Sequence, residues 1–198
     1  MTTITVALTG ASGMPYGVRL IESLLGAGCR VQLVYTQAAQ IVAKQEMDLT
    51  LAGTRETEAM LSERFGVEAG RLNVYGREEW FAPIASGTNP PDAMVICPCT
   101  MGTLASVAAG LSSNLIERAA DVCIKEGRKL VIVPREAPFS TLHLENMLRL
   151  SRMGVVILPP NPGFYHHPQT LQDLIDFVVA RIMDQLGLAH SLMRRWGE

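Results

Sequence analysis

Apolar runs recur along the chain at residues 4–8, 31–35, 93–97, 130–133 and 155–158, and the segments between them carry hydrophobic residues at helical spacing. Runs such as Leu130-Val131-Ile132-Val133 lack polar alternation, so they predict strands covered on both faces, as in a parallel sheet. Amphipathic periodicity predicts helices over 15–27, 38–45, 54–65, 102–109, 113–126, 142–153 and 168–186. Strands alternating with helices make βαβ units, and the predicted fold is α/β: a single doubly wound, mostly parallel sheet with helices on both faces. No linker or internal repeat divides the sequence, so 1–198 reads as one domain. Gly10, Gly13, Pro98, Pro134, Pro159, Pro160, Pro162 and Gly163 cluster where strands end. Ligands of such sheets bind beyond the strand carboxyl ends, so those loops are where chemistry is expected.

Composition narrows the classes. The 198 residues are 48% hydrophobic, enough for a substantial core. A net charge of −2 supplies no field to attract nucleic acid or an anionic membrane. No basic, apolar and small-residue leader pattern and no membrane-length apolar run occurs, so a cytoplasmic protein is expected. Cys29, Cys97, Cys99 and Cys123 form no CxxC pair, and reduced, small buried thiols are expected.

Three strand ends carry candidate chemistry. The first runs into Thr9-Gly10-Ala11-Ser12-Gly13 and a helix, whose backbone N–H groups and positive end suit a phosphate or carboxylate. NAD fits poorly: the second strand ends Val34-Tyr35-Thr36-Gln37, without the acidic residue that holds a dinucleotide ribose. A mononucleotide met by hydroxyls suits this turn better. The third run opens into Pro98-Cys99-Thr100-Met101-Gly102-Thr103 and another helix; either threonine alone could be no more than an N-cap. At the fourth, Arg135 and Glu136 stand side by side before Ala137-Pro138, a pairing that elsewhere is an ordinary surface ion pair. In a parallel sheet these loops open on the same edge, and that convergence favours a pocket.

Cations and aromatics lie further along. Arg118 and Lys125 are seven apart, hence on one helix face, with Asp121 between them; a solvated stripe and a phosphate-binding pair both fit. The segment Pro159-Pro160-Asn161-Pro162-Gly163-Phe164-Tyr165-His166-His167-Pro168 is a stiff loop that holds Tyr165. Its adjacent histidines lack HExxH or a carboxylate cluster, so no metal is expected. Arg181 is either a snorkelling surface cation or an inward phosphate partner.

Taken together, Thr9-Gly10-Ala11-Ser12-Gly13, Glu117-Arg118-Ala119-Ala120-Asp121-Val122 with Lys125-Glu126, Val133-Pro134-Arg135-Glu136-Ala137-Pro138, Pro162-Gly163-Phe164-Tyr165-His166 and Arg195-Trp196 resemble the UbiX/Pad-type flavin prenyltransferases. The resemblance implies a Rossmann-like or flavodoxin-like flavoprotein. Its activity would be transfer of a dimethylallyl group from dimethylallyl monophosphate to reduced FMN, joined at N5 and C6. The product, prenylated FMN, would serve a UbiD-type decarboxylase, often in ubiquinone biosynthesis, and the assembly would be a dodecamer with sites at subunit interfaces. Carried over by position, FMN contacts fall on Gly10, Ala11, Ser12, Thr36, Thr100, Met101, Gly102, Thr103 and Arg135. Prenyl-phosphate contacts fall on Arg118, Lys125, Glu136, Tyr165 and Arg181. Ser12, Glu46 and Glu136 match proton-handling residues, and Trp80 and Trp196 match aromatics near the site. Met14-Pro15 stands where the family more often has alanine and a bulky or polar residue, and threonine replaces the commoner serine at Thr36 and Thr100.

Physical chemistry agrees with that expectation. An aspartate-rich magnesium motif is missing from the sequence, and a monophosphate can be held by side-chain cations and the Tyr165 hydroxyl instead. An FMN-dependent cysteine decarboxylase would share the fold, but its proline-methionine-asparagine substrate motif is not in this sequence. A non-catalytic flavin-binding protein leaves Arg118, Lys125, Tyr165 and Arg181 without a purpose.

Overall fold

The computed structural model describes residues 1–195 and 197; Trp196, expected beside the site, lies outside the described residues. Six strands, β1 (Thr3–Leu8), β2 (Arg30–Tyr35), β3 (Leu72–Tyr75), β4 (Ala93–Cys99), β5 (Lys129–Pro134) and β6 (Val156–Ile157), form one wholly parallel sheet in the order β3-β2-β1-β4-β5-β6. The helices are α1 (Met14–Gly26), α2 (Gln37–Met47), α3 (Thr54–Phe65), α4 (Met101–Ala108), α5 (Leu115–Lys125), α6 (Thr141–Arg152) and α7 (Leu171–Leu186), with a short 3-10 turn at Pro83–Ala85.

The expected fold class is the observed one, with two corrections. The sequence predicts five strands, and β3 is a sixth. It is four residues long, pairs only with β2, and alternates buried with partly exposed positions, so it never forms an apolar run. β6 is shorter than expected: only Val156 and Ile157 form the ladder before the proline-rich loop begins, although Leu158 N still donates to Ile132 O at 2.9 Å.

Side-chain alternation divides the core in two. Ile4, Val6, Leu8, Val95, Cys97, Val131 and Val133 face one layer, formed by α1, α2, α3 and α7. Ala7, Met94, Ile96, Cys99, Leu130 and Ile132 face the other, formed by α4, α5 and α6. Each fully buried leucine or isoleucine contributes about 1.5–3 kcal/mol of transfer free energy, so both faces hold the sheet rigid. After β3 the chain crosses to β4, beside β1. Strand order therefore reverses between β1 and β4, where a crevice opens beyond their carboxyl ends.

Candidate active site

Three loops meet at that reversal, and hydrogen bonds stitch them together. Thr9, fully buried, is the central stitch: its hydroxyl donates to Pro98 O at 2.8 Å and accepts from Thr100 N at 2.8 Å. Its own N–H donates to Pro98 O at 3.2 Å, and Arg135 N donates to Cys99 O at 3.2 Å, which draws in the loop after β5. On the other side, Thr36 N donates to Leu8 O at 3.0 Å. The ends of β1, β2, β4 and β5 are thereby held as one surface.

Helix starts supply its polarity. Thr36 is the N-cap of α2, its hydroxyl accepting from Ala39 N at 3.1 Å. Thr100 caps α4 by accepting from Thr103 N at 3.2 Å, and donates to the Thr103 hydroxyl at 3.0 Å. Asn114 caps α5, its Oδ1 accepting from Ile116 N at 3.0 Å and Glu117 N at 3.2 Å. Thr36, Thr100 and Asn114 all line one cavity of about 260 Å³ with Thr9, Gly102, Thr103 and Ser106. Three helix N-termini, each worth roughly half a positive charge, therefore converge on one polar hollow. The N-cap role that the sequence left open for Thr100 is real, and the cap itself shapes the site.

The glycines differ in purpose. A β-carbon on Gly10 would stand 2.4 Å from Ala38 Cβ, so Gly10 lets the α2 start close on the first loop. Gly13 has φ 114, the left-handed region, where a side chain would be strained. Gly102 needs neither: a β-carbon there would meet no atom within 4 Å. Its bareness leaves space over the first turn of α4.

α1 begins without a side-chain cap of its own. Glu46, from the end of α2, supplies one by accepting from Gly13 N at 3.0 Å and Met14 N at 2.8 Å. That places the Glu46 carboxylate on the backbone of Gly13, the residue after exposed Ser12, another of the expected proton-handling residues. Glu136 stands exposed in the loop after β5, its Oε1 accepting from Ala137 N at 3.1 Å. Ala11 and Met101 are buried, so their side chains are not what the crevice presents. Arg135 Nε is buried without a hydrogen-bond partner. A buried unpartnered guanidinium donor is costly, and an acceptor arriving at the crevice would satisfy it.

The expected phosphate-binding cations are not gathered together in the single chain. Arg118 Nε donates to Ala85 O at 2.9 Å, and its NH1 pairs with Asp121 at 3.0 Å. Lys125 pairs with Glu126, and its Nζ lies 2.6 Å from where a β-carbon of Gly87 would stand. Both therefore face the 85–87 segment, confirming a shared helix face. Arg181 is exposed and pairs with Asp184 at 2.6 Å, resolving its orientation as outward. It lines a cavity of about 330 Å³ with Phe177, and Tyr165 meets the Phe177 ring edge-on at 5.8 Å. His166 stacks on the same ring at 5.1 Å, with both ring nitrogens buried and unpartnered. Tyr165 and Arg181 thus belong to the α7 layer, whereas Arg118 and Lys125 belong to α5 on the opposite face of the sheet. Trp80 is 45% exposed and Phe81 fully exposed, on the turn that follows β3. Sequence reasoning missed Asn114, Phe81 and the cavity-lining Arg77; a long-range contact joins Arg77 O to Leu115 N at 2.8 Å, which no local pattern announces.

An open parallel sheet whose reversal point carries hydroxyls, bare glycine and converging helix starts is built for a nucleotide-like anion, and residues 1–183 match the Flavoprotein family. Within that class the chain belongs to the UbiX-type flavin prenyltransferases. It is 55% identical over 196 residues to the flavin prenyltransferase UbiX of Pseudomonas aeruginosa, covering 98% of this chain and 94% of that protein. A dodecameric FMN-dependent UbiX-like decarboxylase from Escherichia coli O157:H7 superposes with a TM-score of 0.87 at 43% identity, over 100% of both chains. AnUbiX, solved in complex with FMN and dimethylallyl pyrophosphate, superposes with a TM-score of 0.89 at 36% identity, over 100% of this chain and 98% of that one.

Proposed function

We propose that this chain transfers a dimethylallyl group from dimethylallyl monophosphate to reduced FMN, and that the product serves a UbiD-type decarboxylase. The observation that carries the flavin half is the crevice: three helix N-termini, the hydroxyls of Thr36, Thr100 and Thr103 and the open space above Gly102 face one hollow, and the unsatisfied Arg135 donor stands in the neighbouring loop after β5. Gly10, Ala11, Ser12 and Met101 would extend the flavin site beyond that hollow, largely through backbone groups. Reduced FMN would supply the nucleophilic positions N5 and C6, and the allylic carbon–oxygen bond of the donor would break as phosphate leaves.

Held ion pairs supply the other half. Arg118, Lys125 and Arg181 are each paired with a neighbouring carboxylate at the surface, an arrangement worth about 0–1 kcal/mol and therefore easily redirected to a phosphate. Because α5 and α7 lie on opposite sides of the sheet, we place the donor site between subunits. Arg118 and Lys125 would come from one copy, Tyr165 and Arg181 from another. Trp80 and Trp196 would shelter the allyl group, and Ser12, Glu46 and Glu136 would move protons near the flavin. The exposed Phe81 beside Trp80 supports an interface there. A dodecamer like that of the Escherichia coli relative would provide such interfaces.

Incubation with reduced FMN and either dimethylallyl monophosphate or the pyrophosphate, followed by mass spectrometry of the flavin, tests the reading. A gain of one five-carbon unit with the monophosphate is expected. Unchanged FMN with both donors would leave a flavin-binding protein.

A further inference from the structure

The flavin hollow contains a full positive charge that the family motifs do not supply. Among the described residues lining the 260 Å³ cavity, only Arg77 and Glu117 are charged. Glu117 is 8% exposed, and its Oε2 is engaged by Ser113 N at 2.7 Å, in the turn that starts α5. Arg77 is fixed to the same helix start from the outside: its carbonyl accepts from Leu115 N at 2.8 Å. Its guanidinium, by contrast, is weakly engaged. The side chain is 47% exposed and its ion-pair contact, with Glu78, is at 3.9 Å.

A flavin phosphate in this hollow would meet helix ends and hydroxyls. Helix ends provide partial charges that fall off within a turn, and hydroxyls are neutral, so neither balances a dianion. Arg135 does not line this cavity. An arginine at the rim, anchored by its backbone and free to turn its planar donors inward, matches phosphate geometry in the bidentate manner that lysine cannot. We infer that Arg77 is the counter-charge of the flavin 5′-phosphate and the residue that makes this chain prefer FMN to riboflavin. The inference rests on the flavin reading given above.

Flavin titrations followed by fluorescence separate the two. Wild type should bind FMN more tightly than riboflavin, which lacks the phosphate. Arg77→Gln should weaken FMN binding by about tenfold, the range of one hydrogen bond to a charged group, and leave riboflavin unchanged. Arg77→Lys should recover part of the loss, because charge returns without the bidentate fork. If wild type prefers FMN and Arg77→Gln keeps that preference, the assignment of Arg77 is wrong while the flavin site stands. Equal weakening of both flavins would also overturn it, since that marks a structural role. A wild type with no preference for FMN would remove the phosphate reading of the hollow and this assignment with it.

Discussion

An exposed carboxylate that accepts from the next backbone N–H and follows an arginine in sequence is well placed to exchange a proton without being needed for flavin binding. Glu136 answers that description, being exposed and held by Ala137 N. Glu136→Gln keeps the size and the acceptor oxygen but cannot take up or release a proton. Prenylation should fall by roughly 10²–10⁴-fold, the span of general acid–base catalysis, with the FMN dissociation constant unchanged. Stopped-flow rates together with a flavin titration would check both parts, and wild-type turnover would exclude the proton role. The cysteines make the opposite case, of reactive groups kept out of the chemistry. All four are buried free thiols, and burial pushes Cys123 up to about 12, with Cys97 and Cys99 higher still and Cys29 also raised. Thiolate is the reacting species, so the native protein at pH 8 should leave all four unmodified by a thiol reagent that labels all four in denaturant. A raised acid value also sets a stability trend. The contribution of Cys123 is whole below the ordinary thiol value and is lost as pH climbs toward about 12, so thermal unfolding temperature should decline on the alkaline side.

Gly17 and Gly102 both sit in first or second turns of helices beside the crevice, yet the elements around them predict opposite outcomes for the same substitution. A β-carbon on Gly17 would stand 2.5 Å from Cys97 O and 2.6 Å from a Leu8 methyl, so Gly17→Ala must push α1 away from β4. Overpacking of this kind costs typically about 1–3 kcal/mol, readable as a lowered urea midpoint. Gly102→Ala meets nothing and improves helix propensity, so α4 should be as stable or up to about 1 kcal/mol more stable. FMN affinity should nevertheless fall, because the methyl occupies the space above the α4 start. Affinity unchanged in Gly102→Ala would remove that turn from the flavin site. The same elements show what sequence could and could not disclose. Apolar runs such as Leu130 to Val133 announced five strands because burial on both faces suppresses polar alternation. β3 escaped because an edge strand of four residues with alternating burial leaves no such trace. The loops 9–13 and 98–103 were legible from their glycines and hydroxyls. Thr9 as the stitch between them was not, since its partners Pro98 and Thr100 are about 90 positions away. Glu46 was reached only through family resemblance; its capping of α1 from the far end of α2 has no local signature.

Across the whole molecule, the sheet itself decides how a donor phosphate can be bound. Arg118 and Lys125 project from α5 on one face, while Tyr165 and Arg181 lie with α7 on the other, and a rigid six-stranded sheet between them cannot fold to bring the four together. The proposed donor site between subunits has a signature in mixed oligomers. Arg118→Ala and Arg181→Ala should each abolish prenylation as homo-oligomers, because each removes one phosphate cation from every site. Denatured, mixed in equal amounts and refolded together, they should recover activity, because some interfaces then receive an intact Arg118 from one copy and an intact Arg181 from another. Random assembly leaves about one quarter of such heterologous sites whole, half of the subunits on each side being intact. Turnover of the mixture near that fraction of wild type, with both variants alone near zero, is the expected result. A mixture no more active than its parents would mean that one chain supplies all four residues, and the two-faced arrangement of the donor site would have to be abandoned.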